Sequence, residues 1–263
     1  MPTAAFAVAA THAHLADRAD RLAAELAAPR HTARQPADAR LLLRLTPDHL
    51  ELALGPAPPD DAPPGLTPLV PTITPRAITR ADPLAKALGL TRSGTSPPTV
   101  IDATAGLLTD AAAMLALGCA VTAVERHPAV HALATDALKR LDPNSNLKSK
   151  LANLRLHHAD AADLIPALPA HDVVYLDPMF PPRRKGRPAK AMWLLHHLTV
   201  PDVTQPQPND AALLRTALAH AARRVVVKRP RLAPPIGDRT PDLPDPAAQH
   251  IGKSHRYDIY PTR

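Results

Sequence analysis

Apolar residues recur near helical spacing at Leu15, Leu22 and Leu26, a pattern that predicts an amphipathic helix over residues 11–28. Leu41–Leu45 and Leu50–Leu54 are short apolar runs on either side of the turn sequence Thr46-Pro47-Asp48, and they predict two strands. Residues 55–75 are proline-rich and aperiodic, which marks a linker. Asp82 before Pro83 predicts a helix start, because the carboxylate can cap and a first-turn proline has no needed N–H to lose. That helix runs through Leu84–Leu88 and stops near Gly89. From Thr99 the pattern alternates. Strands are expected at Thr99–Ala103, Ala120–Glu125, Leu154–His158, His171–Leu176 and Arg224–Lys228, with a late strand at Arg256–Tyr260. Helices are expected near Thr109–Leu117, Pro128–Leu141 and Asp210–Ala222. Such alternation argues for a parallel sheet covered on both faces, with ligands at the carboxyl ends of its strands. The expected fold class is α/β: a Rossmann-like sheet over 76–263, preceded by a small α+β extension with its linker over 1–75.

Candidate chemistry sits where these strands end. Val100-Ile101-Asp102-Ala103-Thr104-Ala105-Gly106 is a buried strand that runs into a turn of small residues, where a ligand can approach the backbone closely. Glu125 ends the next strand, where an acid can accept hydrogen bonds from ribose hydroxyls. One glycine in the turn is also what an ordinary strand–helix connection has. The glycine loop of dinucleotide enzymes is missing, which disfavours a nicotinamide dehydrogenase. Asp160 follows the third strand and suits either an adenine amino group or the cap of a helix.

The most informative stretch ends the fourth strand: Tyr175-Leu176-Asp177-Pro178-Met179-Phe180-Pro181. It resembles the Asp/Asn-Pro-Pro-Tyr/Phe motif of methyltransferases that act on planar amino groups, with Met179 in place of the second proline. A conjugated amine is a poor nucleophile. Asp177 and the Pro178 carbonyl can each accept one of its N–H groups and aim the nitrogen, while Phe180 can stack on the base, worth about 1–3 kcal/mol. A strand-ending Asp-Pro turn with Phe180 in the core is the alternative. Cys119 precedes the second strand and reads as a buried hydrophobe, not a nucleophile.

Charge adds a partner. The net charge is +7, and residues 183–231 hold eleven basic side chains against Asp202 and Asp210 alone, so the excess is local. Arg183, Arg184, Lys185, Arg187 and Lys190 follow the reaction motif directly and suit phosphate binding; Lys228 and Arg229 end the fifth strand and suit phosphate or the base pocket. A solvated basic face and a non-catalytic RNA-binding module are the bland alternatives, but a binding module needs no Asp177-Pro178-Met179-Phe180. A methyltransferase acting on DNA or on a protein glutamine would use a similar motif. A single cysteine fits a reducing compartment, so the cytoplasm is expected. The alanine-rich start lacks a basic leader and turns polar at Thr11, unlike a secretory signal. No apolar run approaches the roughly 18 residues of a membrane span. The histidines show no metal-ligand spacing, so neither membrane nor metal is expected.

Together these residues resemble the bacterial small-subunit ribosomal RNA (guanine-N2)-methyltransferase J family. The matching stretches are Asp102-Ala-Thr-Ala-Gly-Leu107, Gly118-Cys-Ala-Val121, Val124-Glu-Arg126-His-Pro128, Val174-Tyr-Leu-Asp-Pro-Met-Phe-Pro181, Val225-Val-Val-Lys-Arg-Pro230 and His255-Arg-Tyr-Asp-Ile-Tyr260. The likeness runs from about Arg80 to Tyr260 and is loose before residue 75. It implies a class I fold, S-adenosylmethionine (SAM) as donor and one guanine near the 3′ end of 16S ribosomal RNA, free or in the small subunit, as target. It implies cofactor contacts at Thr109, Asp110, Glu125, Arg126, Asp160, Ala161 and Asp177, beside the turn residues Asp102, Thr104 and Gly106. The family usually has an arginine where this chain has Thr109 and often an aromatic where it has Leu232.

Overall fold

The computed structural model describes residues 4–74, 77–91, 94–179, 190–199, 210–238 and 240–262. The chain divides into two compact units, one formed by residues 1–72, 132–140 and 179–206, the other by 73–131, 141–178 and 207–263.

The first unit is built on a four-stranded sheet in the order β2-β1-β3-β4, from β1 (Ala4–Ala10), β2 (Arg30–His31), β3 (Ala39–Leu45) and β4 (Leu50–Leu54). β1 runs parallel to both neighbours, whereas β3 and β4, the two expected strands, pair antiparallel. The helix expected over 11–28 is shorter: α1 (Ala16–Glu25) follows a 3-10 turn and lies against β1. β1 escaped the sequence reading because Ala-Ala-Phe-Ala-Val-Ala-Ala has weak strand propensity and no polar alternation. A helix at Lys190–Thr199, within the basic segment, was also not expected; its Trp193 is buried and donates to Asp61 (3.3 Å). Asp136 is buried in this unit, where it accepts from the Leu50 N–H (3.1 Å) and from Arg140 (2.7 Å).

The second unit holds a seven-stranded sheet. Its strands are β5 (Thr99–Asp102), β6 (Ala120–Glu125), β7 (Leu154–His158), β8 (Val173–Leu176), β9 (Arg224–Pro230), β10 (Ala248–Ile251) and β11 (His255–Pro261), in the order β10-β11-β9-β8-β5-β6-β7. β5 to β9 are parallel, as expected; β11 and β10 are antiparallel additions at one edge. α2 (Pro83–Ala87) starts as its sequence directs, with the Asp82 carboxylate accepting from the Leu84 N–H (2.9 Å). α3 (Thr109–Ala116) and α4 (Pro128–Lys139) follow β5 and β6; α5 (Ala161–Leu164) follows β7. With Lys190–Thr199 as α6, α7 (Asp210–His220) leads into β9.

One face of this sheet is apolar. Ile101, Val124, Val174, Leu176, Val225 and Val227 pack there against Ala161 of α5 and Leu214 and Ala217 of α7. Strand alternation turns Tyr175 and Lys228 to the opposite face, toward Asp110 of α3. The chain winds outward from β5 through β6 to β7, then returns to place β8 on the other side of β5. That reversal opens a crevice at the carboxyl ends of β5 and β8, where ligands of open α/β sheets bind.

Candidate active site

The β5 end of the crevice is a bent turn. Asp102, 1% exposed, closes β5 and accepts from the Thr104 N–H (3.3 Å). Gly106 (φ +52°) and Leu108 (φ +64°) are left-handed and swing the chain into α3. A Cβ placed on Gly106 would meet nothing closer than the Thr104 carbonyl at 4.0 Å, so a ligand can reach this backbone. Glu125 closes β6 and is buried. Its Oε2 accepts from the Gly106 N–H (2.9 Å) and its Oε1 from the His127 N–H (2.7 Å). Burial raises its pKa, against the pull of these two N–H groups. A carboxylate has about four acceptor positions, so room remains for ribose hydroxyls.

Arg126, next in the chain, is exposed, and its carbonyl lies 3.1 Å from His158 Nε2. Asp160 takes the capping role that its position allowed: Oδ1 accepts from the Ala162 N–H (2.8 Å) at the start of α5, where Ala161 is buried. Thr109 is exposed at the first turn of α3.

Thr104 links this turn to the reaction motif, since its hydroxyl accepts the Asp177 N–H (2.6 Å). Asp177 follows β8 directly, and its Oδ2 meets the Lys228 ammonium at 2.7 Å. The same ammonium lies 2.7 Å from Asp110 Oδ2, which also accepts from the Tyr175 hydroxyl (2.6 Å). Tyr257 pairs with Lys228 across β11–β9, its ring 6.3 Å from that of Tyr175 and its hydroxyl 3.2 Å from His255 Nε2. Two carboxylates thus hold one ammonium, and the charge of a third, Asp102, is felt by all three groups. Burial, then repulsion from Asp110, holds Asp102 well above the usual carboxylate range. Burial also raises Asp177, with Lys228 pulling the other way. Burial alone would lower Lys228, but Asp177 and Asp110 hold its ammonium charged.

The structure therefore brings Asp102, Thr104, Gly106, Asp110, Glu125 and Asp177 together around one crevice. Pro178 is buried beside them. Phe180, Arg183, Arg184, Lys185 and Arg187 lie outside the described residues, and so does the side chain of Lys190. Lys228, expected on phosphate or in the base pocket, sits between two carboxylates. Arg229 is buried and donates to the Pro234 carbonyl (2.9 and 2.5 Å). An open cleft of about 590 Å³ lies between Arg229, Asp210 and residues 234–238. Tyr175 was missed by the sequence reading, although its place two residues before Asp177 puts both on one face of the strand. Cys119 is fully buried, and burial pushes its thiol up to about 12, so it is no nucleophile.

The open turn and the surplus of carboxylates suit a cationic nucleoside cofactor such as SAM, whose sulfonium and ammonium are positive. Residues 74–262 match a family profile described as "Putative SAM-dependent methyltransferase". The chain is 40% identical over 258 residues to the ribosomal RNA small subunit methyltransferase J of Thioalkalivibrio sulfidiphilus, covering 94% of each protein. It is 44% identical over 170 residues to the protein of that name from Neisseria meningitidis serogroup B, and this match spans 64% of the relative's length. The crystal structure of a SAM-dependent methyltransferase from Neisseria gonorrhoeae superposes with a TM-score of 0.66 at 30% identity, covering 97% of this chain and 95% of that one. The expected family is confirmed: the chain belongs to the ribosomal RNA small subunit methyltransferase J family of SAM-dependent methyltransferases.

Proposed function

We propose that this protein methylates the exocyclic N2 of one guanine near the 3′ end of 16S ribosomal RNA, in the cytoplasm, with SAM as methyl donor. The observation that carries this reading is the position of Asp177-Pro178, which ends β8 at the crevice and hangs from Thr104 of the cofactor-side turn. Glu125 suits the ribose, Asp160 and Ala161 the adenine end, and Asp102, Thr104, Gly106, Thr109, Asp110 and Arg126 the remainder of the cofactor. When bound, SAM supplies a methyl group on a sulfonium, a leaving group that departs as a neutral thioether.

Asp177 and the Pro178 carbonyl accept the two N–H groups of the guanine amine and aim its lone pair at the methyl carbon. Transfer from bound SAM would form the C–N bond as the C–S bond breaks. The nitrogen becomes acidic as the methyl arrives, and its proton leaves late, to Asp177 or to water. Positioning of this kind supplies roughly 7–11 kcal/mol in favourable cases. Phe180 stacks on the base. Arg183, Arg184, Lys185, Arg187 and Lys190 hold RNA phosphates.

The test is single-turnover methylation of 16S RNA and of small subunits by Asp177 and Phe180 variants. Asp177→Asn keeps an acceptor oxygen and should retain measurable activity. Asp177→Ala should be far slower, by about the 1.5–3 kcal/mol of a charge-assisted hydrogen bond or more. Phe180→Ala should bind SAM normally and transfer slowly. Wild-type rates for Asp177→Ala would remove the amino-group reading.

A further inference from the structure

The Lys228 ammonium lies between a carboxylate on the cofactor side, Asp110, and the carboxylate of the reaction motif, Asp177, at 2.7 Å from each. We infer that Lys228 is a positioning residue for methyl transfer: it fixes Oδ2 of Asp177 and so presents Oδ1 to the target amine. The inference rests on Asp177 being the acceptor for that amine.

Three observations support it. Among the described residues, Asp177 Oδ1 takes no hydrogen bond, so the pair with Lys228 leaves one carboxylate oxygen for the substrate. Next, the Thr104 hydroxyl holds the backbone of Asp177 while Lys228 holds its side chain, so the acceptor is restrained at both ends. Finally, the surroundings are hostile to an ionised Asp177. The groups that face this cluster are Asp102 on β5, Asp110 on α3, Tyr175 on β8 and, behind Tyr175, Tyr257 on β11, whose hydroxyl meets His255. Asp110 repels the Asp177 charge and burial disfavours it; Lys228 opposes both. Without the ammonium, Asp177 would take up a proton more readily. A protonated carboxyl presents a donor in place of one acceptor, which is the wrong partner for an N–H.

A residue that only filled space would change the rate equally at every pH. A positioning cation shifts the pH at which Asp177 titrates. The experiment is therefore a carbon-13 NMR titration of the Asp177 carboxyl, assigned with D177N, alongside single-turnover rates from pH 5 to 9. Wild type, K228M, K228R and D110N are compared, with melting temperature and SAM affinity measured for each. In K228M the Asp177 midpoint is expected to rise by about one pH unit or more, and the acid limb of the rate to move with it. K228R should hold the midpoint near that of wild type and recover part of the rate. D110N keeps the Lys228–Asp177 pair and removes the competing charge, so its midpoint should fall.

An unchanged midpoint in folded K228M would overturn the inference, and so would a rate loss that is the same at every pH. If K228M does not fold, a D110N midpoint that rises or stays put overturns it instead. Failure of the underlying reading looks different. Wild-type enzyme would then leave every guanine of the RNA unmethylated, while the NMR midpoints would still report whether Lys228 governs Asp177.

Discussion

Asp102 is 1% exposed and faces Asp110 and Asp177, so its charge is an expense to the fold at neutral pH. Burial is the larger cause and the two neighbouring carboxylates add to it. Its folded pKa lies above the unfolded value, so its contribution to stability is complete below the unfolded carboxylate pKa and is lost as pH rises through the folded one. Asp102→Asn keeps an oxygen for the Thr104 N–H and removes the titration. The melting temperature of D102N relative to wild type should therefore increase from pH 5 to pH 8; a constant difference in thermal melts would contradict this account. Residues of this crevice were unequally legible in the sequence. Asp177 was readable because a local motif surrounds it. The engagement of Lys228 was not, because its partners lie 51 and 118 residues away and only the sheet order brings them together.

At the scale of elements, two connections carry the proposed cofactor side, and each depends on a carboxylate accepting backbone N–H groups. Glu125 joins the turn after β5 to the turn after β6 through Gly106 and His127. Glu125→Ala leaves both N–H groups short of a partner and removes the proposed ribose acceptor. SAM affinity should fall by about 1.5–3 kcal/mol, with Glu125→Gln between the two. Calorimetry giving unchanged affinity would remove Glu125 from the site. Asp160 caps α5, and Asp160→Ala should cost about 1 kcal/mol of stability in denaturant unfolding. The capping signals and the parallel strands were legible: buried β6 and the edge strand β7 both have their expected bounds, and α2 starts at Pro83 after its Asp82 cap. Elements without such signals were missed. β1 is largely alanine, and β10 is mostly exposed, so neither shows the alternation that marks a half-buried strand.

For the whole molecule, the net charge of +7 acquires meaning only once the engaged cations are set aside. Within 183–231, Arg215 pairs with Asp242, Arg224 donates to the Ala87 carbonyl, Lys228 bridges two carboxylates and Arg229 holds the Pro234 carbonyl. These side chains are committed within the protein, and phosphate would have to displace their partners. The remaining dense cluster is Arg183, Arg184, Lys185 and Arg187, four cations in five positions directly after the reaction motif. In the proposed function, a short cluster adjacent in sequence to that motif fixes the register of RNA without binding RNA strongly everywhere, because phosphate contacts position and carry no sequence information. Replacing Arg183, Arg184 and Lys185 with glutamine should thus weaken RNA binding while SAM affinity is kept. The dependence of log affinity on log salt should flatten by up to about 0.9 per lost duplex-phosphate contact. Filter binding across a salt series measures that slope. A slope equal to that of wild type would return the cluster to an ordinary solvated face and move the search for the RNA contact elsewhere on the protein.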